Sequence, residues 1–452
     1  MVATADSSPR EKLSPIERAF ARSHGQLPDR SPNFALVARI RGSFGDDELR
    51  RALERVRVRH PRLVTRLAAG EEGEPYWTGE GVPDFPLRVL ESLPQDAWIK
   101  LVEAELLVPF RRDTGPCARF VLLRREGEDD LVVVCDHGSC DGMSGAFLLR
   151  DVLTLLGDPE HEPEPLAFPA NALECLPASV VGSRRLRWKA RALTTLFVLG
   201  QRLPPKRLPA AARPAAGRSQ ADPAAARICL LPSGLDTDET EALVERCRIE
   251  RVTVQAALCA AWLLAFAETL PESESRIRRV SIPISIRKQL APPPVETAGM
   301  FLSGCELDAD CSPSRGLWQV ARELTAKLKH AREDRRLLFG PLMLRTLLPR
   351  LRPDEAAAAI FRFILPPPDY DFSITNVGRL DVPLRIGSLR VEAMHGPLVN
   401  TSPLEHTVGI CTVGGRLSMS FLFRESLLAP ADGQRLLEDV LARVRRAVST
   451  AD

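Results

Sequence analysis

The sequence predicts a mixed α/β (α+β) protein built as two similar lobes, each a mixed sheet with flanking helices. Three observations carry that expectation. At 452 residues the chain exceeds what one average core holds, so two or three domain-sized units are expected. Short apolar runs bounded by turn residues alternate with stretches whose apolar residues recur at helical spacing. The order of these elements is alike in the two halves.

In chain order, SPIERAFARSHG (14–25) reads as an amphipathic helix with Ser14 as N-cap and Pro15 at its first position. FALVARIRG (34–42) reads as a strand, and GDDELRRALERVRVRHP as a helix that stops at His60 and Pro61. Strands follow at 86–91, 117–125 and 130–137, with a helix at about 95–107 between the first two. The continuous apolar run 131–135 has the character of a central strand, and GMSGAFLLRDVLTLLG (142–157) that of a helix ended by Gly157. From about 160 to 222 the periodicity weakens while Pro, Ala and Arg accumulate, which predicts a linker. The resulting division is a first lobe at 1–175, a basic linker at 176–222 and a second lobe at 223–452.

The second half opens with a strand at 226–232 and helices at about 236–248 and 253–268. Strands at RRVSIPISIR and near MFLSGCELD precede a long helix from about 314 toward 335. DFSITNVG, LRVEAM, HTVGICTV and LSMSFLF read as late strands, the last two joined at Gly414 and Gly415, a strong hairpin signal. GQRLLEDVLARVRRAV supplies a closing helix.

Composition excludes several function classes. Hydrophobic residues at 44% and charged residues at 27% are those of a folded globular chain. The 61 basic and 59 acidic residues nearly cancel, so no overall field marks a nucleic-acid binder. No secretory signal and no apolar run of about 20 residues is apparent, so a cytoplasmic protein without a transmembrane segment is expected. The ten cysteines lack a CxxC pair or a regular framework and read as reduced, buried small hydrophobes.

The chemistry concentrates in VVVCDHGSCDGMSGAFLLR (132–150), where His137 lies between a strand and a helix start. An imidazole of ordinary pKa about 6.5 can accept and return a proton near neutrality, provided its tautomer is fixed. A strand end followed by a tight turn can fix it through a backbone carbonyl. Gly138 and Gly142 keep the turn uncrowded, and the helix start supplies N–H groups for a developing negative charge. Other readings of the same residues are weaker. A metal site of Cys135, His137, Cys140 and Asp141 has suitable donors in unsuitable spacing. GMSGA nearly spells a nucleophile elbow with Ser144, but lacks the last glycine and lies inside the helix. Cys140 lacks any activating partner beyond His137 and reads as a spectator thiol. Asp141 and Arg287, taken unaided, read as separate surface charges. His395 and His406, near late strands, read as structural.

HxxxDG, formed by His137, Asp141 and Gly142, resembles the HHxxxDG signature of the chloramphenicol acetyltransferase-like superfamily: condensation domains, polyketide-associated acyltransferases and alcohol acyltransferases. LSPIERAF, ELRRALERVRVRHPRLVTRL, VPFRRDTGPCARFVLLR, SIPISIRKQL and FSITNVGRL look like that family's segments in the family's order. The resemblance implies two lobes in a V shape around a central tunnel, with donor and acceptor entering from opposite faces. It implies His137 as catalytic base, Asp141 turned from the substrate toward Arg287, Gly142 leaving room for substrate and offering its N–H to an oxyanion, and Asn376 as a tunnel or oxyanion-side residue. The signature's first histidine is Asp136 here, a departure from the peptide-bond-forming subgroup.

The expected activity is therefore that of a free-standing acyltransferase of lipid, polyketide or other secondary metabolism. It would pass an acyl group from acyl-CoA or a phosphopantetheinyl acyl carrier protein to a hydroxyl, with no bound cofactor or metal and as a monomer. Amide formation on an amine, or a catalytically silent docking role, are the alternatives. The basic stretch 184–218, which holds no acid, is expected as a solvated linker or, with Arg184, Arg185, Arg187 and Trp188, as a docking site for an acidic carrier protein or a lipid surface.

Overall fold

The computed structural model of the chain describes residues 11–13, 17, 33–70, 75–91, 94–168, 172–202, 227–269, 276–332, 336–347, 350, 371–400 and 406–449. In the first half, β1 (Glu11–Lys12) and β2 (Asn33–Arg41) precede α1 (Asp46–Arg59), β3 (Arg66–Ala69), β4 (Pro75–Thr78) and β5 (Leu87–Leu90). Then come α2 (Ala97–Glu105), β6 (Ala118–Leu123), β7 (Asp129–Asp136) and α3 (Gly142–Gly157). Helices α4 (Ala178–Val181) and α5 (Arg184–Arg202) follow. The second half holds β8 (Ile228–Leu235), α6 (Thr237–Ile249), α7 (Val254–Thr269), β9 (Ile277–Ser285), β10 (Leu302–Asp310), α8 (Leu317–Arg332) and α9 (Arg336–Leu347). It ends with β11 (Phe372–Arg379), β12 (Arg385–Ile386), β13 (Leu389–Asn400), β14 (His406–Val413), β15 (Arg416–Arg424) and α10 (Pro430–Ser449). The helix expected at 14–25 lies outside the described residues, apart from Glu17.

Two six-stranded sheets organise the molecule, ordered β12-β13-β2-β7-β6-β5 and β10-β9-β11-β14-β15-β8, beside a small β1-β4-β3 sheet. Every residue of β7 is buried, which is why its sequence reads as an unbroken apolar run between charged ends. It pairs antiparallel with β2, and that register sets Asn33 opposite Asp136 at the end of the strand. In the second lobe α7 is buried around its whole circumference from Ala256 to Ala267. Its Trp262 anchors an aromatic cluster with Phe266, Phe372 and Phe421 and donates an indole N–H to Met419 Sδ at 3.3 Å.

The sheets do not divide where the sequence does. Strands β12 and β13 belong to the second half by position, yet β13 pairs antiparallel with β2 along the first sheet. The boundary at 222–223 is thus crossed by a strand exchange. The stretch expected as a linker also begins differently, since 184–202 forms the 19-residue helix α5. Arg, Ala and Leu are strong helix formers, and their abundance here outweighs the weak apolar periodicity.

The two sheets are joined by packing as well as by the exchange. Val37, Trp98, Val102, Val132 and Val134 of the first half share one core cluster with Ile228, Leu230, Leu398 and Leu422. Glu103 of α2 accepts a hydrogen bond from the Leu230 amide of edge strand β8 at 2.8 Å, which occupies part of that edge. β13 lies against β14, where Thr407 Oγ1 donates to the Val399 carbonyl at 3.0 Å and Gly409 approaches the Pro397 carbonyl so closely that no Cβ would fit. No single helix among the described residues is long and apolar enough to cross a membrane; α6 and α7 reach the length together but bend by 99°.

Candidate active site

β7 ends at Asp136, and residues 137–141 turn the chain into α3. Asp136 is buried and faces Arg112, whose Nε and Nη2 donate to its Oδ2 and Oδ1 at 2.7 and 2.6 Å. The Gly138 amide and Ser139 Oγ donate to the same carboxylate at 3.2 and 2.8 Å. Burial works against the charge, but Arg112 and these donors hold the carboxyl below the usual carboxylate range. At the place of the signature's first histidine there is therefore a buried ion pair that shapes the turn. A side chain at Gly138 would collide with the Arg112 guanidinium, so this glycine is needed for the pair itself.

His137 follows, half-buried, with its ring edge-on to Phe34 at 5.1 Å between centroids. Its Nδ1 lies 3.0 Å from the Cys140 carbonyl oxygen. A carbonyl can only accept, so Nδ1 carries the proton and the neutral ring keeps a lone pair on Nε2. Burial, opposed by the Cys140 carbonyl, pulls the histidine below its ordinary value and keeps it neutral near pH 7.

Asp141 is the N-cap of α3. Its Oδ1 accepts from the Ser144 amide at 2.9 Å and from Ser144 Oγ at 2.7 Å. Arg287 Nη2 donates to the same oxygen at 2.8 Å, and the Phe301 amide donates to Oδ2 at 3.1 Å. Both charged side chains are buried, so this is an interior ion pair and not two surface charges. Arg287 also donates to the Pro294 and Thr297 carbonyls at 2.9 and 2.6 Å and lies 4.6 Å from the Phe301 ring centroid. The brace thus ties α3 to residues 294–301.

A second set of charges, not foreseen in the sequence, holds that segment from the other side. Glu296 receives Arg150 at 2.8 Å through both Nη atoms and also binds Arg59, while Asp151 takes Arg59 Nε at 2.6 Å and buried His60 Nε2 at 2.9 Å. These residues join the end of α1, the middle of α3 and the 294–301 segment.

The remaining candidates fall into place by contact. A Cβ on Gly142 would come within 2.9 Å of Pro397 and 3.6 Å of Val377, so the missing side chain makes room for β13 and β11. That corrects the expectation that the space is left for substrate. Asn376, half-buried in β11, accepts the Gly378 amide on Oδ1 at 2.8 Å, and its neighbour Val377 reaches the start of α3. Ser144 is fully buried and its Oγ also meets Arg287 at 2.9 Å and the Gly299 amide at 3.1 Å, which leaves no nucleophile. Cys140 is buried, and desolvation raises its thiol well above the ordinary value, so it is held protonated. All ten cysteines are buried as thiols. Among the described residues no group of three or more His, Cys, Asp or Glu side chains is arranged to hold a metal ion. His395 is stacked on Trp98 at 4.8 Å and pulled down to about 4 by burial and by Arg39, and His406 donates Nδ1–H to the Asp371 carbonyl at 3.0 Å.

Comparison with known proteins agrees with this architecture. Residues 232–422 match the family described as phthiocerol/phthiodiolone dimycocerosyl transferase C-terminus. Among solved structures, the first condensation domain of the CDA synthetase superposes with a TM-score of 0.70 at 16% identity, covering 99% of this chain and 98% of that one. Polyketide synthase associated protein 5 from Mycobacterium tuberculosis gives 0.66 at 18% identity over 99% of both chains. Trichothecene 15-O-acetyltransferase from Fusarium sporotrichioides gives 0.70 at 12% identity, covering 99% of this chain and 97% of that one. No curated protein sequence matches significantly. The likeness to these structures shows a shared fold, and residues 232–422, less than half of the chain, are similar to the matched transferase family.

Proposed function

We propose that this protein transfers an acyl group from an acyl-CoA or acyl carrier protein thioester to a hydroxyl acceptor in the cytoplasm, with His137 as general base. The observation that carries the reading is the 3.0 Å bond from Nδ1 to the Cys140 carbonyl, because it reserves Nε2 for proton transfer. Nε2 takes the acceptor proton as the hydroxyl oxygen attacks the thioester carbonyl. A C–O bond forms, the C–S bond breaks, and the proton passes to the departing thiolate. We assign the Gly142 N–H, at the mouth of α3, and Asn376 to the oxyanion side, since Asp141 already engages the Ser144 amide. The dimycocerosyl transferase named by the matching family and the 15-O-acetyltransferase among the similar structures support a hydroxyl acceptor, and the Asp136–Arg112 pair favours it over the peptide-forming subgroup, in which both histidines are usual.

The test is His137→Ala assayed by intact-mass detection of products, with acyl-CoA and acyl-carrier thioesters offered to a panel of alcohols and amines. A loss on the order of 10²–10⁴-fold in ester formation is expected. Undiminished transfer by the variant, or products on amines alone, would overturn the assignment.

A further inference from the structure

We infer that the outward face of α5 docks this protein on an anionic lipid bilayer. The inference is independent of the acyl-transfer reading. Helix α5 has two apolar faces where one would suffice. Ala190 and Thr194 are fully buried and Leu186 packs against the second-lobe core, while Arg350 donates to Thr194 Oγ1 at 3.1 Å and Lys189 Nζ stands 5.2 Å from the Phe339 ring centroid. That face is fully used.

On a wheel of about 100° per residue, Trp188, Ala192, Leu196 and Leu199 lie together on the opposite side. Trp188 is 72% exposed, Leu196 63% and Leu199 51%. Exposed Arg184, Arg187 and Arg191 border this stripe on one flank; exposed Lys189, its Nζ reaching toward Phe339, borders the other, and exposed Arg185 falls within the arc of the stripe just before Trp188. No acid occurs in the sequence from Arg184 to Arg218, so nothing nearby in the chain neutralises them.

An apolar ridge with cations on both shoulders fits the plane of a bilayer interface. The ridge enters the acyl boundary, the indole ring sits at headgroup level, and the arginines reach lipid phosphates. The shape separates a bilayer from a carrier protein. From Trp188 to Leu199 the ridge is about 17 Å long, and it can lie along a flat, deformable surface, whereas a folded partner would need a matching groove. Charge complementarity selects anionic lipid over neutral lipid.

The test mixes the full chain with vesicles of phosphatidylcholine and with vesicles of equal parts phosphatidylcholine and phosphatidylglycerol, and reads co-sedimentation and tryptophan emission. Trp77, Trp98 and Trp262 are buried and Trp318 is half-buried, so a blue shift on binding reports Trp188. Binding to the anionic vesicles is expected to weaken about fivefold for each of Arg184, Arg185, Arg187 and Arg191 changed to Gln. Trp188→Ser with Leu196→Ser and Leu199→Ser should abolish it, with the circular-dichroism spectrum unchanged because these side chains face outward. Failure to bind, equal binding to both vesicle types, or full binding by the arginine variant overturns the inference. An effect of these variants confined to the KM of an acyl-carrier donor overturns it in favour of carrier docking.

Discussion

Replacing Arg112 by Met leaves Asp136 buried without its counter-ion, and the size of the effect can be worked from the contacts. The guanidinium supplies two short charge-assisted bonds to a carboxylate that is 1% exposed, and only the Gly138 amide and Ser139 Oγ remain after its removal. Breaking one side of a buried pair costs about 3–5 kcal/mol, and the two surviving donors place this case near 3 kcal/mol. The pH dependence follows from the sign of the shift. In the native protein Asp136 is depressed, so its contribution is present above the unfolded carboxyl value of about 3.9 and is lost as pH falls through the lower folded value. In Arg112→Met the carboxyl is raised, so its penalty is full at neutral pH and disappears as pH falls through that raised value. The gap between the two proteins should narrow on acidification. Urea unfolding followed by tryptophan emission at neutral and mildly acidic pH measures this. A double variant, Arg112→Met with Asp136→Asn, should recover at least about 1 kcal/mol of the single-variant loss. Additive costs in that cycle, or a gap that widens toward acid, would refute the account of the turn.

Two further outcomes are expected. With His137 as the proposed base, the pH profile of kcat/KM should fall on the acid side with a midpoint below 6.5, because a base must be neutral and burial lowers His137; a midpoint above 6.5 would contradict the proposal. Gly142→Ala should destabilise by about 1–3 kcal/mol through overpacking against Pro397, measured as a lower unfolding midpoint, while Gly142→Ala combined with Pro397→Ala should regain part of it.

Most strands were legible because they are apolar runs closed by turn residues. The Gly414–Gly415 hairpin is the clearest case, and both glycines take the positive φ that such a turn requires, +56° and +82°. β13 was only half legible. It was expected to stop near Met394, where His395, Gly396 and Pro397 interrupt the pattern, yet it runs on to Asn400 because register shifts against β2 absorb the break. α9 escaped notice for a similar reason, with Pro341 inside it. At the site, the strand–turn–helix setting of His137 follows from periodicity. The pairing of Asp141 with Arg287, 146 residues away, was accessible only through family resemblance. Arg112 had no local signal at all. What could have flagged it is a charge argument: an acid ending a fully apolar central strand needs a buried cation from elsewhere.

The strand exchange bears on how such proteins can be recombined. Pro397, carried on β13, packs on Gly142 at the head of α3 and against Gly409 of β14. A chimera that grafts the C-terminal half of a relative onto this N-terminal half would therefore import a foreign strand into the first sheet and a foreign residue onto the histidine-bearing turn. The inheritable unit is the pair of halves matched across that strand, and shuffling that respects only the sequence midpoint would disturb the turn that carries His137.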